Sequence, residues 1–125
     1  MELVLFSASM TGVFMLANAR VGGMLERYGQ PYGRVRLIVH GLLCFTIVAG
    51  YGVTVDLFQS VPYRKVFAMT AFIVTGATLL VNVGTGFFLL SGRTRNKVLI
   101  MVHRIASLIM LFSIVFGIGF LRLKL

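Results

Sequence analysis

The chain has 125 residues, of which 58% are hydrophobic and 12% charged, with a mean hydropathy of +0.97 and a formal charge of +9. Ordinary globular chains are roughly 45–50% apolar and about 25% charged, and a domain this small keeps much of its surface wet, so the composition excludes a soluble globular domain. The basic residues flank apolar stretches, where they orient a membrane chain and meet anionic headgroups; this excludes nucleic acid as a partner.

A bilayer core needs roughly 20 apolar residues per helix, and the chain has room for four such spans. The first is expected at 3–19. Ala17-Asn18-Ala19 looks like a signal-peptide cleavage site. Such a leader begins with positive charge, whereas this one carries Glu2, so a retained helix is expected. The segment 20–36 reads as a polar loop, with turn formers Gly22, Gly23, Gly29, Pro31 and Gly33 and the bases Arg20, Arg27, Arg34 and Arg36. Span two is expected at 36–55. A short link follows, in which Pro62 signals a helix start. Span three is expected at 66–91, a tight basic turn at 92–97, and span four at 98–121. Tyr28, Tyr32, Tyr51 and Tyr63 fit an interfacial belt.

Alternating spans with short links pack antiparallel, which predicts an all-α fold: an integral membrane, up-and-down four-helix bundle in one transmembrane domain, 1–125. The loops 20–36 and 92–97 carry Arg20, Arg27, Arg34, Arg36, Arg93, Arg95 and Lys97. The opposite side carries only Arg64, Lys65, Arg122 and Lys124. The positive-inside rule therefore predicts a multi-pass protein of the cell membrane with both termini outside and those two loops in the cytoplasm.

The two histidines, His40 and His103, lie a few residues into spans two and four, which run in the same direction. Both imidazoles are therefore expected at one depth, roughly 6–9 Å inside the boundary at a rise of 1.5 Å per residue. Haem iron takes an axial ligand from each face, and two neutral imidazoles on facing helices would supply both, a centre suited to electron transfer. A stable zinc site usually wants three or four protein ligands, and no carboxylate lies at this depth. The competing reading is that each histidine simply hydrogen-bonds a neighbouring helix.

Span three should present the stretch 82–86 near the histidines. Gly84 and Gly86 would let a macrocycle lie close to the backbone, although small residues also let membrane helices pack tightly. Arg36, one turn before His40, would meet a propionate at the rim, with Arg34, Arg93 and Arg95 as further candidates. Arg104 sits as deep as His103, and an arginine at that depth needs an anionic partner such as a propionate. There is also a hint of internal repetition. The stretch 36–40 resembles 98–103, and Asn18 precedes His40 by nearly the interval that separates Asn82 from His103. Parallel repeats would place the histidines symmetrically.

Other chemistry is poorly served. Glu2, Glu26 and Asp56 lie at ends or in loops, so the buried acid expected of a proton-coupled exporter is missing. Ser7, Ser9, Thr11, Thr75 and Thr78 are expected to bond back to helix carbonyls. The methionines read as filler rather than copper ligands. Cys44 lies inside a span and has no second cysteine to pair with.

With two histidines in four spans, the chain resembles the membrane b-type cytochromes, a class that includes cytochrome b561-like proteins and the haem-bearing anchors of respiratory dehydrogenases. The stretch 102–107, Val-His-Arg-Ile-Ala-Ser, is similar to the His-Arg-x-Ser/Gly stretch of succinate dehydrogenase cytochrome b anchors. Those anchors usually have fewer spans. The b561-like proteins hold two haems on four histidines, so a second bis-histidine haem within this chain is excluded. The resemblance implies one haem b, ligated by His40 and His103 and contacted by Arg36, Gly84, Gly86 and Arg104, in an electron-transfer subunit or relay. One haem near one surface would exchange electrons with a quinone or a partner subunit, and a homo-oligomer is equally expected. The alternatives are an accessory or assembly subunit of a larger membrane complex and, third, a small transporter.

Overall fold

The computed structural model describes residues 1–28, 33–61, 65–90 and 96–125. These residues are all-helical, in four helices: α1 (Glu2–Tyr28), α2 (Arg34–Gln59), α3 (Val66–Leu90) and α4 (Lys97–Arg122). Each is long and apolar enough to cross a membrane, as expected for an all-α membrane bundle. At a rise of 1.5 Å per residue such helices are about 39 Å long, against a hydrocarbon core of about 30 Å. Large apolar side chains such as Phe6, Leu42, Phe45, Leu80, Phe87 and Phe112 are exposed. In lipid this carries no penalty, because acyl chains are as apolar as they are.

α1 is longer than expected. The segment read as a polar loop from Arg20 onward continues as helix to Tyr28. Gly22 and Leu25 lie on one helical face by their spacing. Leu25 is buried and Gly22 packs against an α2 side chain, so tertiary contact overrides the turn-forming composition. The turn expected at 92–97, the Pro62 helix start, Tyr32, Tyr63, Arg64, Arg93 and Arg95 lie largely or wholly outside the described residues. α4 begins with a clear cap: the Asn96 side chain accepts from the Val98 amide at 3.0 Å, satisfying one of the donors every helix start leaves open.

The chain forms two compact units, Met1–Val61 and Pro62–Leu125. In the first, α1 packs along α2 around Val4, Ala8, Thr11, Met15, Ile47 and Thr54. The closest approach is at Gly50. A methyl group there would stand 2.6 Å from Thr11 Oγ1, so only glycine fits. Thr11 donates to the Ser7 carbonyl (2.8 Å), and Ser7 and Thr54 share a hydroxyl–hydroxyl bond of 2.8 Å across the hairpin.

In the second unit α3 packs along α4 around Ala68, Phe72, Thr75, Leu79, Met110, Ile114 and Leu121. Thr75 and Ser113 share a buried hydroxyl–hydroxyl bond of 2.8 Å, while Thr75 and Thr78 also bond back to carbonyls of α3. The Phe72 ring lies over Gly117, where a methyl group would come within 3.0 Å of Cε1. Lys65 is only 5% exposed and donates to the Leu121 carbonyl at 3.3 Å. Its ammonium thus sits at the negative end of the α4 dipole. The left-handed Lys124 (φ 58°) turns the chain back, so the Leu125 carbonyl accepts from the Ala68 amide.

Candidate functional site: two histidines on glycine seats

His40 is the seventh residue of α2 and His103 the seventh of α4. Six residues at 1.5 Å place each ring about 9 Å beyond the first residue of its helix. Both side chains are half-buried, and both rest on a glycine of the neighbouring helix. A methyl group on Gly22 would stand 3.3 Å from His40 Cε1 and 3.8 Å from its Nδ1. A methyl group on Gly86 would stand 3.1 Å from His103 Cε1 and 3.7 Å from its Nδ1. In each hairpin the Cε1 edge of the imidazole comes close to a position that lacks a side chain, where an added methyl group would be tighter than ordinary contact.

The parallel extends beyond the rings. Thr11, Gly12, Leu16, Asn18, Gly22 and Leu25 of α1 fall on Thr75, Gly76, Leu80, Asn82, Gly86 and Leu89 of α3 at one constant offset. Val35, Val39 and His40 of α2 fall on Val98, Val102 and His103 of α4 in the same way. The same positions are buried in both hairpins: Thr11 and Thr75, Met15 and Leu79, Ile47 and Met110. Ala8 and Thr54 of the first hairpin correspond by the same offsets to Phe72 and Gly117 of the second, which lie in contact. Asn18 donates to Cys44 Sγ at 3.2 Å, and the equivalent Asn82 donates to Ser107 Oγ at 2.6 Å. The two hairpins thus share buried positions and one equivalent side-chain contact, in keeping with the repetition hinted at by the sequence.

The histidines differ in one respect. His103 Nδ1 is 2.9 Å from Thr85 Oγ1, whereas the position equivalent to Thr85 in α1 is Val21. Thr85 also reaches the Val81 carbonyl (2.8 Å) and the Asn82 carbonyl (3.1 Å) of its own helix. Thr85 is not singled out by the sequence, because a threonine inside an apolar helix usually bonds its own backbone. The Thr-Gly-x3-Leu-x-Asn-x3-Gly spacing common to α1 and α3 is the signal that leads to it.

The other expected contact residues divide. Gly86 is the seat of His103. Gly84 is exposed, and a methyl group there would meet nothing within 4 Å. Arg36 and Arg104 are exposed; Arg104 shares the depth of His103 along α4 but lies on the surface of its hairpin. Among the described residues no three His, Cys, Asp or Glu side chains come together, so those residues offer no ready-made cluster of the kind zinc uses. No protein family, no characterised protein and no solved structure matches this chain.

Proposed function

We propose that this chain is a membrane b-type cytochrome that binds one haem b through His40 and His103 and relays electrons, as a subunit or small relay, with quinone or a partner protein. The observation that carries the reading is the repeated seat. Two similar hairpins each carry a histidine at the same helical position, against a glycine of the neighbouring helix. A ligand that takes one identical donor from each half suits such a pair, and iron with two opposite axial positions is that kind of ligand. When bound, the haem supplies a one-electron couple; the protein supplies two imidazoles, holds their rings, and surrounds them with apolar helix. Arg36 and Arg104, near the histidines along their helices, are the candidate partners for propionates. The excess of Lys and Arg in 20–36 and 92–97 favours a cell-membrane orientation with those segments in the cytoplasm and both termini outside.

The test is the absorption spectrum of the purified full chain from haem-replete cells. The reading expects a reducible chromophore with the sharp bands of six-coordinate bis-imidazole iron, lost in His40→Ala and in His103→Ala. A colourless, folded preparation would overturn it. Assembly of a larger complex that is indifferent to both substitutions would point to an accessory subunit instead.

A further inference from the structure

We infer that Asn18 and Asn82 are positioning residues: each amide fixes the register of its helix pair, so that the histidine one turn away meets its glycine. In the second hairpin four residues form two adjacent rungs. Asn82 and Gly86 lie one turn apart on α3, and His103 and Ser107 one turn apart on α4. The contacts of the two helices run antiparallel, so Gly86 faces His103 and Asn82 faces Ser107. The polar rung has a settled direction. Ser107 Oγ has one hydrogen, which goes to the His103 carbonyl at 2.9 Å. Its oxygen therefore accepts from Asn82 Nδ2 at 2.6 Å. The bonds run from α3 through Ser107 and end on the backbone of the histidine itself. The first hairpin repeats the two rungs with Asn18, Gly22, His40 and Cys44. There Gly22 meets His40, and Asn18 Nδ2 donates to Cys44 Sγ at 3.2 Å.

Apolar helices in lipid have no hydrophobic force to align them. The glycine–imidazole contact is not directional either, but it is narrow. A methyl group on the glycine would stand 3.1 Å from His103 Cε1 and 3.3 Å from His40 Cε1. A slip of one residue moves a helix by about 1.5 Å and turns its contact face by about 100°, which takes the glycine away from the ring. A hydrogen bond one turn away resists that slip, because it weakens steeply as its distance and angle change. The cost of the device is visible at Asn18. Its Oδ1 is buried and takes no hydrogen bond among the described residues, and an amide oxygen left so within a membrane is expensive. One bond to sulfur, a weak acceptor, does not offset that cost as adhesion between helices. An amide nevertheless stands at this place in both hairpins, and holding each histidine against its glycine accounts for it. That the held rings serve iron rests on the haem reading above; the positioning does not.

The experiment uses the full chain in lipid nanodiscs, first without haem. NMR reads the proximity of each histidine Hε1 proton to the Hα protons of its glycine. The Gly86–His103 contact is expected in the wild type, reduced several-fold in Asn82→Leu and in Ser107→Ala, and kept in Ser107→Cys, which copies the Asn18–Cys44 pair. Asn18→Leu should likewise reduce the Gly22–His40 contact. Thr75→Val removes a buried hydroxyl bond elsewhere in the second hairpin; it should weaken packing and leave the Gly86–His103 contact in place. A contact that survives Ser107→Ala in folded protein, or that falls equally in Thr75→Val, overturns the positioning role. Ser107→Ala carries the test if Asn82→Leu does not fold. The haem-loaded protein is then exposed to a haem-scavenging apoglobin. Asn82→Leu and Ser107→Ala should lose haem roughly 10-fold faster, the lower end for lost supports of a metal-bound histidine, and Ser107→Cys at the wild-type rate. Retention that ignores these substitutions while the contact follows them overturns the link to the haem site. A wild type that binds no haem yet shows the contacts and their dependence on the amides overturns the cytochrome reading and leaves the positioning standing.

Discussion

The Gly86→Ala substitution tests the seat directly. The added methyl group would lie 3.1 Å from His103 Cε1, a few tenths of an ångström inside ordinary contact. The ring cannot simply retreat, because Nδ1 is held at 2.9 Å by Thr85, so either that bond stretches or α3 and α4 separate. Overpacking of this kind costs about 1–3 kcal/mol. The exchange of glycine for alanine in a helix returns up to about 1 kcal/mol, leaving a net loss of about 0–2 kcal/mol. Gly84→Ala is the matched control on the same helix, since a methyl group there meets nothing within 4 Å; it should keep the propensity gain alone. The two variants should therefore differ by about 1–3 kcal/mol. Reversible unfolding of the full chain in mixed detergent micelles measures this difference, and the His103 15N signals report whether the ring has moved. Equal unfolding midpoints for the two variants, with unmoved His103 signals in Gly86→Ala, would refute the idea that Gly86 exists to receive the ring.

Other outcomes follow from the remaining contacts. Gly50→Ala should be more damaging than Gly86→Ala, because its methyl group would stand 2.6 Å from a Thr11 hydroxyl already bonded to Ser7; adding Thr11→Ala should recover part of the loss, a coupling of roughly 0.5–3 kcal/mol in a double-mutant cycle. Cys44→Ser copies the second hairpin, where Ser107 accepts from Asn82, and should leave stability unchanged or raise it by less than about 1 kcal/mol; a large loss would break the equivalence of the two hairpins. Thr75→Val combined with Ser113→Ala should show a coupling near 0.6 kcal/mol, the usual size for membrane hydrogen bonds, read from the same unfolding curves.

The sequence by itself determined the class of the protein. Apolar runs of membrane length, interrupted by basic turns, leave helices as the structure that satisfies its own backbone in lipid, and the structure has four of them. It also put His40 and His103 at the same position along their helices, because periodicity and helix starts are local properties. Locality likewise explains the error in α1. Arginines and glycines from Arg20 onward look like a loop until Leu25 is seen to be buried and Gly22 to face His40.

Only the tertiary structure decided which neighbour each side chain meets. Gly84 and Gly86 are two residues apart and equivalent in composition, yet one faces open space and the other carries an imidazole, since residues two apart on a helix point in different directions. Thr85 became visible through its distance to His103, which no spacing within α3 encodes. The faint likeness between the two halves extends to their packing, since equivalent positions are buried and Asn18 and Asn82 bond equivalent residues of the neighbouring helix. A contact is a property of two helices together, and one helix read alone does not contain it.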